Sequence, residues 1–361
     1  MYCGSEKPPL NDFLEDLVAE LNILTSVGMT IQGILFKFKK VLFVCDAPAR
    51  AWICGIKGHN AKHACNWCNS VGKHDYNRIV QSSTIGVSRT NINYGLFQES
   101  NQVIISPLSK ISTIGLYSDF PVDYQHAVCL GVCRKLFQLY FGVGKKRVNN
   151  DNIRILSDKI MEIAKYTPAE FQRRPRRIDT ELAHFKATEF RLFLLYLGPY
   201  LFKKVLPDDL YKHFLLLHFA IYTMSSAKYC KVYLTQAYRC VEILVLEISK
   251  HFHPKNISYN MHAILHLAEF VNMYGCLNNF STFEFENYLG SLKQRVWKTC
   301  FIFKHVMNQA LLLRTININF EVKPITIVEK FPNNCAIIEN EVVLIDRFID
   351  NSIAEGIVLH F

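Results

Sequence analysis

The 361 residues are 50% hydrophobic and 13% aromatic, enough apolar side chain to bury a sizeable core, which excludes a disordered chain and a small disulfide scaffold. The formal net charge of +10 makes a polyanion, nucleic acid first, the expected partner class. No apolar run reaches the ~18–20 residues that span a bilayer, and no basic segment leads into an apolar core at the N-terminus, so no membrane partner is expected.

Residues 1–68 begin with an amphipathic helix over Asn11–Thr25, where Phe13, Leu14, Leu17, Val18, Leu21 and Leu24 recur at helical spacing. Gly28 stops it, and Ile31–Cys45 reads as an extended segment rich in β-branched and aromatic residues, ending at Asp46-Ala47-Pro48. Residues 69–115 are polar and weakly patterned, a surface excursion with at most short strands. From 116 to 260 almost everything reads as helix, opened by Asp123-Tyr124-Gln125-His126. Phe190–Leu197 and His213–Phe219 are apolar nearly all round, as central bundle members should be. Residues 261–320 return to amphipathic helix at His262–Glu269 and Phe283–Arg314, and 321–361 reads as a small β-rich tail with a turn at Pro332-Asn333-Asn334.

Several residue groups carry chemistry. Cys65 and Cys68 have the spacing with which two thiolates grip one zinc from a tight turn. A tetrahedron could be completed by His262 and His266, at i and i+4 on one helix face, or locally by His59 and His63; the bland alternative is two buried thiols. Asp46 at a strand end could present a carboxylate to magnesium, or simply cap the next helix. Glu286, with Glu284 as its competitor, could hold a second metal while Lys293 and Arg295 meet phosphate, or be a solvated acid. Asp123 could cap and orient His126. Arg173, Arg174, Arg176 and Arg177 surround one proline and could engage several phosphates, although such runs are more often solvated faces.

Taken in order, Cys45-Asp46-Ala47-Pro48-Ala49-Arg50, the Cys-x-x-Cys pair, Asp123-x-x-His126, Lys186-Ala187-Thr188-Glu189-Phe190-Arg191, His262-x-x-x-His266-Leu267 and Phe285-Glu286-Asn287-Tyr288-Leu289-Gly290 resemble the CACTA-type DDE transposases. The resemblance runs over about residues 1–320. It implies an α/β fold with an all-α insertion: an RNase H-like catalytic domain, interrupted by a large helical insertion, that presents three acids to two Mg2+ ions. It implies that Asp46 is the second acid and Glu286 the third, that Cys65, Cys68, His262 and His266 bind structural Zn2+, and that Asp123 and His126 form a family motif. DNA is the implied substrate and the nucleus the implied location. The family's first acid lies well upstream of the second, whereas only 45 residues precede Asp46 here, and Asp12 and Asp16 belong to the first helix. The expectation is therefore a partial domain lacking its first strands, with little or no strand transfer. Its exposed sheet edge would be covered by a second copy or another chain. The alternative is a non-enzymatic, zinc-stabilised DNA-binding or interaction protein.

Overall fold

The computed structural model describes residues 7–294, apart from 32, 39, 143–147 and 169, together with strands at 335–338, 341–348 and 354–359. The chain divides into two compact units, one ending at Tyr288 and one taking Leu289–Phe361.

Helix α1 (Leu10–Ser26) buries Leu10, Leu14, Val18 and Leu21, whose three- and four-residue spacing puts them on one stripe. That stripe packs with Cys54, Tyr94, Leu108 and Phe120 in a small core of its own. Strands β1 (Met29–Ile31) and β2 (Ile34–Phe36) then pair antiparallel, turning through Gly33 at φ +83°, a conformation open to a residue without a Cβ. The single extended segment expected over Ile31–Cys45 is thus corrected: the chain first reverses at Gly33. Beyond the hairpin, Val41, Phe43 and Cys45 pack on the N-terminal core, while Leu42 and Val44 pack on the larger helical one. This alternation is that of a strand covered on both faces. No described strand pairs with it; the Phe43 N–H donates instead to the Asp119 carbonyl at 2.8 Å.

Asp46 closes this run and caps α2 (Ala47–Ile53) by accepting from the Ala49 N–H at 2.7 Å. In the polar excursion, strands β3 (Lys73–Asp75) and β4 (Arg78–Val80) form a hairpin. Its turn residues Tyr76 and Asn77 both have positive φ, as a two-residue turn matched to strand twist requires. Helix α3 (Asn91–Gly95) follows.

The helical part opens with a π-helical stretch, Gln125–Cys133, continuous with α4 (Arg134–Phe141). A Cβ at Gly131 would lie 2.6 Å from the Asn260 side chain, so glycine permits close approach of the later helix bearing Asn260. Then come α5 (Asn150–Ala164), α6 (Ile178–Glu181), α7 (Ala187–Leu192), α8 (Gly198–Leu201), α9 (Asp208–Ser225), α10 (Leu234–His251), α11 (Tyr259–Ala263), α12 (Leu267–Tyr274) and α13 (Phe283–Gln294). Phe137, Phe190, Phe193, Phe202 and Phe214 form an interlocked, solvent-free aromatic centre; burying each stabilises by roughly 1.5–3 kcal/mol. The metal-type knuckle belongs to this core, because Cys65, Trp67 and Cys68 are part of the same cluster. In the second unit, β5 (Cys335–Ile338), β6 (Glu341–Phe348) and β7 (Ala354–Leu359) form an antiparallel sheet in that order. All described sheets are antiparallel. The expected turn at Pro332–Asn334, and residues 295–314 of the last expected helix, lie outside the described residues.

Candidate metal centre and acid cleft

Four residues from two distant segments converge behind the knuckle. Cys65 Sγ lies 3.4 Å from His266 Nε2, Cys68 Sγ 3.3 Å from His262 Nε2, and the two sulfurs are 3.6 Å apart. One ligand atom from each lies within 4.8 Å of every other, and all four residues are buried. The group could hold a metal ion. The local rivals do not join it: His59 is exposed, and His63 Nδ1 faces the Ser100 hydroxyl at 3.5 Å.

The surroundings hold these ligands in place. The backbone N–H groups of Trp67 and Cys68 donate to Cys65 Sγ at 3.4 and 3.3 Å, the loop geometry that steadies a thiolate. His262 Nδ1 donates to the Ser82 carbonyl at 2.9 Å, which leaves Nε2 as the lone-pair nitrogen. The Cys68 thiol is pulled far below its ordinary pKa, first by the hydrogen bond from Cys65 and then by His262 and His266, while burial and the neighbouring sulfur hold Cys65 well above. Burial lowers His266 from the ordinary histidine value, favouring the neutral ligand form.

On the other side of the knuckle, the Arg50 guanidinium sits 4.4 Å above the Trp67 ring and donates to the Tyr259 hydroxyl at 2.7 Å. Arg50 is 4% exposed. It ties α2, which Asp46 caps, to the metal-type knuckle and to α11. Sequence reasoning missed this role; the available signal was a lone cation among the apolar residues of α2.

Arg50 also lines a cleft of about 860 Å3 into which Asp46, Asp123 and His126 face. Asp123 is saturated: it accepts from the N–H groups of Gln125, His126 and Thr282, from His126 Nδ1 at 2.6 Å and from the Thr282 hydroxyl at 2.8 Å. Burial works to raise its pKa, and these hydrogen bonds, led by that from His126, outweigh it and lower it. Asp123 therefore locks the π-helical stretch to the start of α13. That lock positions Glu286, which accepts from Gln125 Nε2 at 2.5 Å and lies 3.3 Å from His126 Nε2. Three carboxylates act on one imidazole: Asp123 through its hydrogen bond first, then Glu286 and Asp46 through their charge, raise the His126 pKa against burial.

Glu286 is half-exposed, at 50%, whereas Glu284 lines a separate cleft of about 390 Å3 with Arg173 and Arg191. The two acids therefore have different neighbours. Asp46 keeps one oxygen on its cap, and its other oxygen accepts nothing among the described residues.

In the arginine run, two of the four cations already have acidic partners. Arg176 is held by Glu189 at 2.6 Å and Glu181 at 3.0 Å, and Arg177 by Asp158 and Asp179 at 2.7 Å each. Those pairs neutralise both guanidinium groups, leaving Arg173 and Arg174 outside any ion pair among the described residues. Lys293 and Arg295 lie outside the residues whose side chains are described. Among the described residues, no helix is long and apolar enough to cross a membrane. No protein-family model matches the chain, and no curated protein matches it at a significant level.

Proposed function

We propose that this chain is a transposon-derived, DNA-binding protein whose Asp46 cleft, with Glu286 against its His126, corresponds to the catalytic face of a DDE-type phosphoryl-transfer domain, with zinc on Cys65, Cys68, His262 and His266. The observation that carries this reading is the return of Glu286, from far along the chain, to His126 beside Asp46 and Asp123. Chance gives no reason for the resemblance's second acid, third acid and Asp-x-x-His motif to meet at one imidazole.

Zinc fits its four ligands. Bonds of ~2.3 Å to sulfur and ~2.0–2.1 Å to nitrogen in a tetrahedron give ligand-to-ligand edges of roughly 3.3–3.8 Å, and the contacts here are 3.3–3.6 Å. Magnesium also fits the open cleft, since it is commonly bound through one or two carboxylates plus substrate phosphates. There it would neutralise phosphate charge and activate the attacking oxygen. Asp46 and Glu286 would supply the carboxylates, and His126 would orient Glu286. A third carboxylate with a free oxygen is missing from the described cleft, because Asp123 is fully engaged. We therefore expect metal-dependent DNA binding by this chain with little strand transfer, in a nuclear setting.

The non-enzymatic reading is favoured by one observation: Asp46 is a helix cap and Asp123 a positioning residue, both useful without catalysis. A nicking assay on supercoiled DNA, with and without Mg2+, separates the readings. Trace Mg2+-dependent nicking that Glu286→Gln removes supports the catalytic ancestry. Equal behaviour of wild type and Glu286→Gln in both cleavage and Mg2+-dependent binding removes Glu286 from the function.

A further inference from the structure

We propose that Arg78, Arg134 and Lys255, with Lys135 next in sequence to Arg134, form a phosphate-gripping wall of the cleft, which binds the DNA backbone beside Asp46. The inference rests on the DNA reading above and adds a binding site to it.

Three features on separate elements make the wall. Arg78 leaves the β3–β4 turn, Arg134 and Lys135 begin α4, and Lys255 lies on the short 3-10 turn Pro254–Asn256. Arg78, Arg134 and Lys255 all line the same cleft as Asp46 and His126, so tertiary structure, not a local run, gathers them. Among the described residues none of the four joins an ion pair, whereas Arg89, Arg176, Arg177, Lys40, Lys212 and Lys250 all do. Gathering cations with no counter-ion is unfavourable in the free protein, and an anion relieves the repulsion. Lys135 registers the repulsion: burial first, then the charges of Arg78 and Lys255, pull its ammonium below the ordinary lysine value.

The wall is also held in place before any ligand arrives. The Tyr76 ring at the hairpin tip packs edge-on to His253 at 4.6 Å. The Gln81 N–H, just after β4, donates to the Ile257 carbonyl at 2.9 Å. Arg134 follows His126 by about two turns of one continuous helix, an axial rise of about 12 Å or less. His126 and Arg134, at the two ends of that span, both line the cleft.

The test is the salt dependence of DNA binding by the zinc-loaded full chain, measured on a short duplex from 50 to 200 mM salt. Each phosphate contact contributes about −0.9 to the slope of log affinity against log salt. The triple variant Arg78→Gln/Arg134→Gln/Lys255→Gln is expected to flatten the slope by about 2.7, so that its affinity falls roughly 40-fold less over this range than that of wild type. Arg78→Gln alone, on an exposed hairpin, is expected to flatten it by about 1 and guards against a folding defect in the triple variant. Lys212→Ala/Lys250→Ala, each in an ion pair and neither among the cleft-lining residues, should leave the slope unchanged. Wild-type binding with an unaltered slope in Arg78→Gln and the triple variant overturns the wall alone and leaves the DNA reading intact. No DNA binding by wild type overturns both.

Discussion

The buried Cys/His centre and the open acid cleft stand on the same stretch of chain and obey opposite rules. In and just after α11, His262 and His266 face Cys65 and Cys68, while Tyr259, Asn260 and Ala263 face the cleft. The centre is dry: its four residues are 0–2% exposed, and its thiols and imidazoles are hydrogen-bonded to one another or to backbone. Among the described residues, one Asp46 oxygen in the cleft accepts no hydrogen bond, the cleft's Arg78, Arg134 and Lys255 join no ion pair, and half-exposed Glu286 approaches the cleft residue His126. Histidine appears in both, yet at the centre burial lowers the His266 pKa, whereas at the cleft the hydrogen bond and charge of Asp123, with the charges of Glu286 and Asp46, raise that of His126. Environment, not residue type, sends the two imidazoles in opposite directions.

The sharpest way to break this comparison is to remove one ligand. Cys65→Ser and His266→Ala should each lose bound zinc and destabilise the fold by about 3 kcal/mol or more, because metal binding is coupled to folding. His63→Ala should retain full zinc content, read by atomic absorption on purified protein. Zinc retained in His266→Ala with zinc lost in His63→Ala would restore the local-histidine site, since both arrangements need Cys65.

Acid titration comes next, because the two regions and a remote reference respond differently. His213, buried in the helical part with Nε2 donating to the Leu244 carbonyl at 2.9 Å, is pushed down to about 4 by burial. Between about pH 6.5 and 4 the unfolded chain therefore binds a proton that the folded chain refuses. Stability from this site is complete above pH 6.5 and falls by roughly 3 kcal/mol as pH drops to 4. A His213→Gln variant should lack that part of the slope in denaturant melts. His126 runs the opposite way: its pKa is raised, so its contribution is complete below the ordinary histidine value and disappears as pH rises through the folded value. Zinc release on acidification reports the centre alone and keeps the contributions separate.

Thr282→Val gives a smaller, more pointed effect. It removes the hydroxyl that donates to Asp123 at 2.8 Å and should cost about 1–2 kcal/mol. Since that bond anchors α13, Mg2+ enhancement of DNA binding should weaken while zinc content stays constant. Unchanged Mg2+ enhancement with the expected stability loss would mean that Asp123 does not position Glu286.

How much of this was legible in the sequence depended on how local each signal was. Cys65 with Cys68, and His262 with His266, announce themselves by spacing, because each pair sits within one turn of backbone. That the pairs meet is long-range, and spacing left His59 and His63 as rivals. Asp46 reads as a cap from the Pro48 that follows it, and the coordinates show the cap; its place in the cleft came from the resemblance, since no periodicity encodes it. Arg176 and Arg177 show charge in the sequence but not their partners Glu189 and Asp158. The reverse happened at Arg78, Arg134 and Lys255, which are dispersed in sequence and gathered only by folding. The helical core was plain from its apolar runs, although the π-helical geometry at Gln125–Cys133 was not, because periodicity cannot distinguish it from α over so short a length.

The smallest structural perturbation tests the central claim most directly: Mn2+ binding to zinc-loaded wild type, Asp46→Asn and Glu286→Gln, followed by water-proton relaxation in the presence of a short DNA duplex. Asparagine caps a helix about as well as aspartate, and Glu286 is half-exposed, so both variants should keep the fold to within about 0.5 kcal/mol. A shared cation site in the cleft requires each substitution to weaken Mn2+ binding at least tenfold with zinc unchanged. Equal Mn2+ affinity in all three proteins would contradict it.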